Sequence, residues 1–326
     1  MTRHTLRIYL FAALVAGPAL AHAAERRVVA YVPTWVDLKA FADTIEYDKL
    51  THVAVAFVNP ANDEGGLPFK EDVAVLVARA RKHRVKVLVS IGGGGASGNK
   101  AMLARYGALL ADGRRAAFVA SLVDYVGKHD FDGLDVDLEG PSIGKDYGAF
   151  VSDLAAALRP RGKLLTAALS KGYGGGRVPD AALRHFDFVN IMAYDATGPW
   201  SPGSPGQHSS MEFAKDAVRY WLGRGLPKDK AVLGVPFYGY GFGRAFRKRD
   251  YPYALIVSIF PGAENADQAG DTVYYNGLPT IRAKAQYVVD DGLGGVMIWS
   301  LDYDVKGSKS LLGAIHQTLA PRTGGH

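Results

Sequence analysis

Three carboxylates stand at alternate positions in the run Asp132-Gly133-Leu134-Asp135-Val136-Asp137-Leu138-Glu139: Asp135, Asp137 and Glu139, separated by Leu134, Val136 and Leu138. Alternation with period two reads as a β-strand with one acidic face and one apolar face. Side chains two apart on a strand lie about 6.6 Å from one another, so the three acids share one surface. Like charges that close raise one another's pKa, and Glu139 is therefore expected to keep its proton near neutral pH. A carboxyl group held in its acid form is the proton donor that glycoside cleavage requires. The competing reading is a solvated strand face. Against it stand the apolar runs nearby and the Gly140-Pro141 turn, which sets Glu139 at the carboxyl end of its strand. Asp132 has the opposite parity from Asp135 and reads as structural.

These acids need a scaffold, and from Arg27 onward the chain repeats one rhythm: a short β-branched run, a loop, then a longer amphipathic segment. The runs are RVVAYVP, THVAVAF, KVLVSIGG, FDGLDVDLEG, LLTAALS, FDFVNIMAYD, AVLGVPFYG and GGVMIWSLD. Between them, Glu71 to Lys82, Arg114 to Lys128, Tyr147 to Leu158 and Met211 to Gly223 carry apolar stripes at helical spacing. Eight strands alternating with helices over roughly 290 residues predict an α/β fold, a (β/α)8 TIM barrel in a single domain. A doubly wound open sheet is the alternative, but its phosphate fingerprint is missing. Gly92 to Gly95 do not form GxGxxG at a helix start, and no Walker lysine follows. The longest connection, Phe242 to Pro279, is rich in aromatics and is expected to be a short folded excursion between strands seven and eight.

The chain has 326 residues, 48% hydrophobic and 21% charged, a globular balance. Arg3, Arg7, the mostly apolar stretch Ile8 to Leu20 and the small-x-small site Ala21-His22-Ala23 read as a signal peptide over residues 1–23. That leaves a catalytic domain over 24–320 and a frayed tail over 321–326. Export to the periplasm or the medium is the expectation, with no membrane attachment after processing. There is no cysteine, so the fold must rest on its core, and no thiolate serves as nucleophile or metal ligand. Without Arg3 and Arg7 the formal charge is +4, 36 basic against 32 acidic residues. That weak excess carries no nucleic-acid signature, and the cluster Arg244 to Arg249 reads as a solvated loop.

Barrel enzymes keep their chemistry at the carboxyl ends of the strands. There stand Tyr31 and Trp35 after the first strand, Phe57 on the second and Ser90-Ile91-Gly92-Gly93 on the third. Glu139 ends the fourth, Met192-Ala193-Tyr194-Asp195 the sixth, Phe237-Tyr238 the seventh and Trp299 the eighth. One aromatic near a strand end is usually core. Several converging with carboxylates suit a sugar site, because flat rings cover the apolar faces of pyranoses.

At these residues a family resemblance emerges. FDGLDVDLEG resembles the DxxDxDxE signature of glycoside hydrolase family 18, the chitinase-like enzymes. SIGGGG is similar to that family's third-strand SxGG, MAYD to its sixth-strand MxYD, and MIWSLDYD to its eighth strand with the floor tryptophan. The resemblance implies a hydrolase of β-1,4 bonds in N-acetylglucosamine polymers, chitin or chito-oligosaccharides, working as a monomer without cofactor or metal. It implies roles as well. Glu139 protonates the glycosidic oxygen, and the substrate's own 2-acetamido carbonyl attacks the anomeric carbon, giving net retention. Asp137 orients that acetamido group, while Asp135 holds Asp137 and shares its proton. Tyr194 donates to the acetamido oxygen, Asp195 binds the sugar nearby, and Trp299 floors the subsite of the distorted sugar. Tyr31, Trp35, Phe57, Met192 and Tyr238 complete the implied glycan-binding set, and Ser90 holds the acidic strand from its neighbour.

Two departures from the family pattern matter. Leu138 and Gly140 flank Glu139 where many members have aromatics, and Gly94-Gly95 follow the third-strand motif where a tryptophan is common. A shallower groove and an endo-acting or oligosaccharide-preferring enzyme are expected. Two alternatives stay open: an endo-β-N-acetylglucosaminidase acting on N-glycan cores or peptidoglycan, and a non-catalytic chitin-binding lectin. A divalent-metal reading of the acidic strand lacks an accompanying histidine cluster.

Overall fold

Seven apolar segments rich in β-branched residues form strands: Arg27–Pro33 (β1), His52–Ala56 (β2), Lys86–Gly92 (β3), Gly133–Asp137 (β4), Leu164–Leu169 (β5), Phe188–Ile191 (β6) and Ala231–Pro236 (β7). Four short strands follow, Tyr238–Gly241 (β8), Tyr251–Pro252 (β9), Gln268–Ala269 (β10) and Val273–Tyr274 (β11), and then Gly295–Trp299 (β12). In this computed structural model, which describes residues 26–320, β1 to β7 and β12 close into a parallel barrel in the order β1-β12-β7-β6-β5-β4-β3-β2. This is the (β/α)8 barrel that the rhythm of the sequence predicts. The expected signal peptide (1–23) and tail (321–326) lie outside the described residues.

Strand parity decides what each residue faces. Val28, Ala30 and Val32 point outward into the layer shared with the helices, whereas Val29 and Tyr31 point into the barrel. Helices Glu71–Lys82, Tyr147–Leu158 and Met211–Gly223 run over the segments expected from their apolar stripes. The helix expected from Arg114 starts earlier, at Asp112. An acid in a first turn is favoured by the helix dipole, and Asp112 also pairs with Arg115 at 2.7 Å.

The excursion begins before its expected start. β7 stops at Pro236, whose ring nitrogen has no hydrogen to donate onward. Tyr238–Gly241 therefore leaves the barrel and pairs antiparallel with β9 and β11, in a small sheet ordered β10-β11-β8-β9. At the far end Pro279 lies inside the first turn of helix Leu278–Asp290, where its missing N–H goes unused.

The outer layer is tightly packed. Phe150 is fully buried and its ring stacks 6.0 Å from that of Phe118. Phe150→Ala should lower unfolding free energy by about 3–5 kcal/mol in urea denaturation. A cost below about 1 kcal/mol would mean that this layer collapses around the deletion, contrary to the packing described.

Candidate active site

Asp135 lies inside the barrel because of strand register. Ser90 on β3 and Thr166 on β5 sit directly beside it across the ladder. Ser90 Oγ and Tyr31 Oη each donate to its Oδ2 at 2.7 Å, and Thr166 Oγ1 donates to its Oδ1 at 2.5 Å. Tyr31 Oη in turn accepts from Asn190 Nδ2 at 3.1 Å. Burial raises the Asp135 pKa and these hydroxyl donors oppose the rise. Asp132, of opposite parity, accepts from the Val87 N–H at 2.7 Å and ties β4 to β3.

Asp137 is nearly fully buried, and its Oδ1 has no hydrogen-bond partner among the described residues. Burial pushes its pKa well above the ordinary range, and the charges of Glu139 and Asp135 add to the rise. Its backbone is pinned by the third-strand glycines. Gly93 N donates to Asp137 O at 2.7 Å, and at Gly92 (φ +100°) a Cβ would lie 2.2 Å from that same oxygen. Only glycine fits there.

Glu139 extends past the end of β4 (φ −123°, ψ 159°) and is half-buried. Its pKa is pushed up to about 7, first by burial and then by the charge of Asp195. Desolvation is larger than the like-charge effect that spacing alone suggested, and Asp195 adds a charge from across the site to the mutual repulsion of Glu139 and Asp137. Asp195 turns back in a left-handed conformation (φ +65°), unusual for a residue other than glycine. Its Oδ1 accepts from Tyr238 Oη at 2.5 Å and Tyr240 Oη at 3.1 Å, and His208 Nδ1 lies 3.4 Å away.

Glu139, Met192, Tyr194 and Asp195 line one cavity of about 700 Å³. A second, of about 210 Å³, lies at the start of β5 and β6, away from the acids. Trp299 and Phe57 stack beside the site at 5.7 Å and 22°, with Tyr31 5.5 Å from Trp299. Trp35 stands 61% exposed, 6.5 Å from Phe57. Tyr31 and Tyr238 are buried behind the acids, with their hydroxyls engaged by Asp135 and Asp195 rather than presented to the cavity. Asp135 itself makes no hydrogen bond to Asp137 among the described residues; its donors are the hydroxyls named above.

Sequence reasoning missed Tyr173, Trp200, Tyr240 and His208. Tyr173 and Trp200 both line the cavity and are at least half exposed. A Cβ on Gly140 (φ +48°) would lie 2.2 Å from the Tyr173 ring, so the glycine after Glu139 makes room for an aromatic from the β5 loop. Trp200 stands edge-on to Tyr240 at 5.5 Å. The groove therefore has aromatic walls that the residues flanking Glu139 do not reveal. A signal was available: each is a lone large ring in a glycine- and proline-rich loop, in GYGGG and TGPWSPG.

Comparison with known proteins agrees with this geometry. The sequence model of the glycosyl hydrolases family 18 matches residues 27–304. A class V chitinase of Lotus japonicus is 28% identical, over 84% of this chain and 82% of its own length. The solved GH18 chitinase ChiB of Flavobacterium johnsoniae superposes with a TM-score of 0.84 at 38% identity, covering 90% of this chain and 94% of that one. Catalytic domain 2 of an Ostrinia furnacalis group II chitinase, solved as a mutant with (NAG)5, gives a TM-score of 0.74 at 25% identity over 90% and 96% of the two chains. The chain belongs to glycosyl hydrolase family 18.

Proposed function

We propose that this glycoside hydrolase cleaves β-1,4 bonds between N-acetylglucosamine units of chitin or chito-oligosaccharides, with Glu139 as general acid and then general base. The observation that carries the reading is Glu139 itself: a carboxyl group with a pKa of about 7 facing a cavity walled by Tyr173, Trp200 and Tyr194. A fully ionised glutamate has no proton to give a leaving sugar; this one retains it near neutrality.

The remaining roles follow from unfilled hydrogen-bonding capacity. The buried Asp137 Oδ1 without a partner costs about 1–3 kcal/mol, and a substrate acetamido N–H would remove that cost. Among the described residues Tyr194 Oη has only the Met297 sulfur at 3.9 Å, a weak acceptor, which leaves it able to donate to the acetamido oxygen. With that group aligned beneath the anomeric carbon, its carbonyl oxygen attacks as Glu139 protonates the leaving oxygen. Water activated by Glu139 then opens the oxazolinium ring, and the configuration is retained. Asp195, with its side chain 40% exposed, has room to take a sugar hydroxyl. Trp299, half-buried and stacked on Phe57, supplies the flat floor. The (NAG)5 complex of the Ostrinia furnacalis relative supports an N-acetylglucosamine oligomer as the ligand class.

Product analysis on chitohexaose tests this. The wild type should release shorter oligomers, and Glu139→Gln should lose about 10²–10⁴-fold in kcat. Since Glu139 must be protonated to act, activity should fall about tenfold per pH unit above its pKa of about 7. The same group makes the fold less stable as pH rises between its unfolded value near 4.5 and about 7, because the folded state holds the proton longer. Glu139→Gln should therefore raise Tm at pH 8. An intact hexamer with wild-type enzyme would reject the reading. A fully deacetylated glucosamine hexamer should remain uncut, because it lacks the attacking carbonyl; cleavage at a comparable rate would rule out substrate assistance.

A further inference from the structure

Lys284 lies on helix Leu278–Asp290, outside the cavity, and its side chain is fully buried. Among the described residues no carboxylate pairs with it. Its Nζ donates instead to Ser209 O at 2.7 Å, Ser209 Oγ at 2.6 Å and Asn276 Oδ1 at 2.7 Å. Three neutral acceptors use all three ammonium donors. The charged group nearest in effect is Asp267, whose carboxylate is engaged by Gly277 N–H and Thr280 Oγ1. Burial lowers the lysine's pKa to about 7. Keeping a cation in this setting is costly, and an apolar residue would fill the space at less cost.

The segment that Lys284 grips leads to the active site. Gln207 donates to Asp267 O in the excursion. His208 is fully buried, packs 5.0 Å from the Tyr238 ring and 4.9 Å from that of Tyr240, and faces Asp195. Ser209 Oγ donates to Ala193 O at 2.6 Å, two residues before Asp195. One ammonium thus joins the loop after β6 to the end of the excursion, and both carry groups that hold Asp195.

We propose that Lys284 is a positioning residue: by fixing Ser209 it seats His208 and the Ala193–Asp195 turn, and so sets the direction of the Asp195 carboxylate against Tyr238 and Tyr240. The inference rests on the glycan-cleaving reading of the cavity. The titratable groups around Asp195 are Glu139, Tyr194, His208, Tyr238, Tyr240 and Asp250. Asp195 is a charge that raises the Glu139 pKa from across the site. A loosened Asp195 should let the basic limb of the activity profile move to lower pH, whereas a lysine needed only for folding would change Tm and leave the limb in place.

The test compares wild type, Lys284→Met and Ser209→Ala on chitohexaose across pH 5 to 9. The expected result for Lys284→Met is a kcat about tenfold lower, little change in KM, and a basic limb displaced downward. Ser209→Ala removes one link of the chain and should move both quantities in the same direction by less. The double variant should be no worse than Lys284→Met alone, because both act on one path. If Lys284→Met does not fold, Ser209→Ala decides: a displaced limb supports the inference and an unmoved one overturns it. Folded variants with wild-type kcat and limb overturn it, whatever their Tm. Failure of the wild type to cut the hexamer would overturn the functional reading first, and this inference with it.

Discussion

Three acids on and just past the end of one barrel strand pose a desolvation problem, and the site is organised around it. A carboxylate taken out of water must find hydrogen-bond donors or take up a proton. Asp135 does the first, held by hydroxyls from β1, β3 and β5. Glu139 does the second up to about neutral pH, at the edge of the cavity. Asp137 lies between them with one oxygen unpartnered. The graded environment along five residues separates a hydroxyl-held acid, a buried acid with an open oxygen and an acid that keeps its proton, the division that the proposed mechanism uses.

The barrel makes this gradient possible through close backbone approach. Gly92 and Gly93 bring β3 against the carbonyl of Asp137, and Gly133 lets β4 lie where a Cβ would meet Leu164 O at 2.3 Å. The inner layer of such barrels is usually filled with branched apolar side chains. Here its upper half is polar, with Ser90, Asp135, Thr166 and Asn190 all buried, while the outer layer of Phe118, Phe150 and their neighbours keeps ordinary packing. The two layers divide the work: the outer one supplies stability, and the inner one places charge.

Much of this was legible from residues alone. Period-two spacing put Asp135, Asp137 and Glu139 on one face and assigned Asp132 to the other, and the structure has Asp132 binding the backbone of β3. Helical stripes located Glu71–Lys82, Tyr147–Leu158 and Met211–Gly223. What escaped depends on contacts distant in sequence. Tyr173 reaches Gly140 only because two loops meet above β4 and β5, and no local pattern shows that. His208 and Lys284 read as ordinary residues until the fold buries both. The larger cause of Glu139's raised pKa also escaped: a strand in isolation shows neighbouring charges, and only a folded barrel shows burial.

The central claim is that burial, assisted by Asp195, holds a proton on Glu139 near neutral pH. Carboxyl-carbon NMR titration of the folded enzyme, with Glu139 assigned through Glu139→Gln, measures this directly, and Asp195→Asn separates the two causes. The account predicts a midpoint near 7 that falls in Asp195→Asn yet stays above the ordinary value of 4.5, since burial is the larger cause. A wild-type midpoint in the ordinary glutamate range would contradict it.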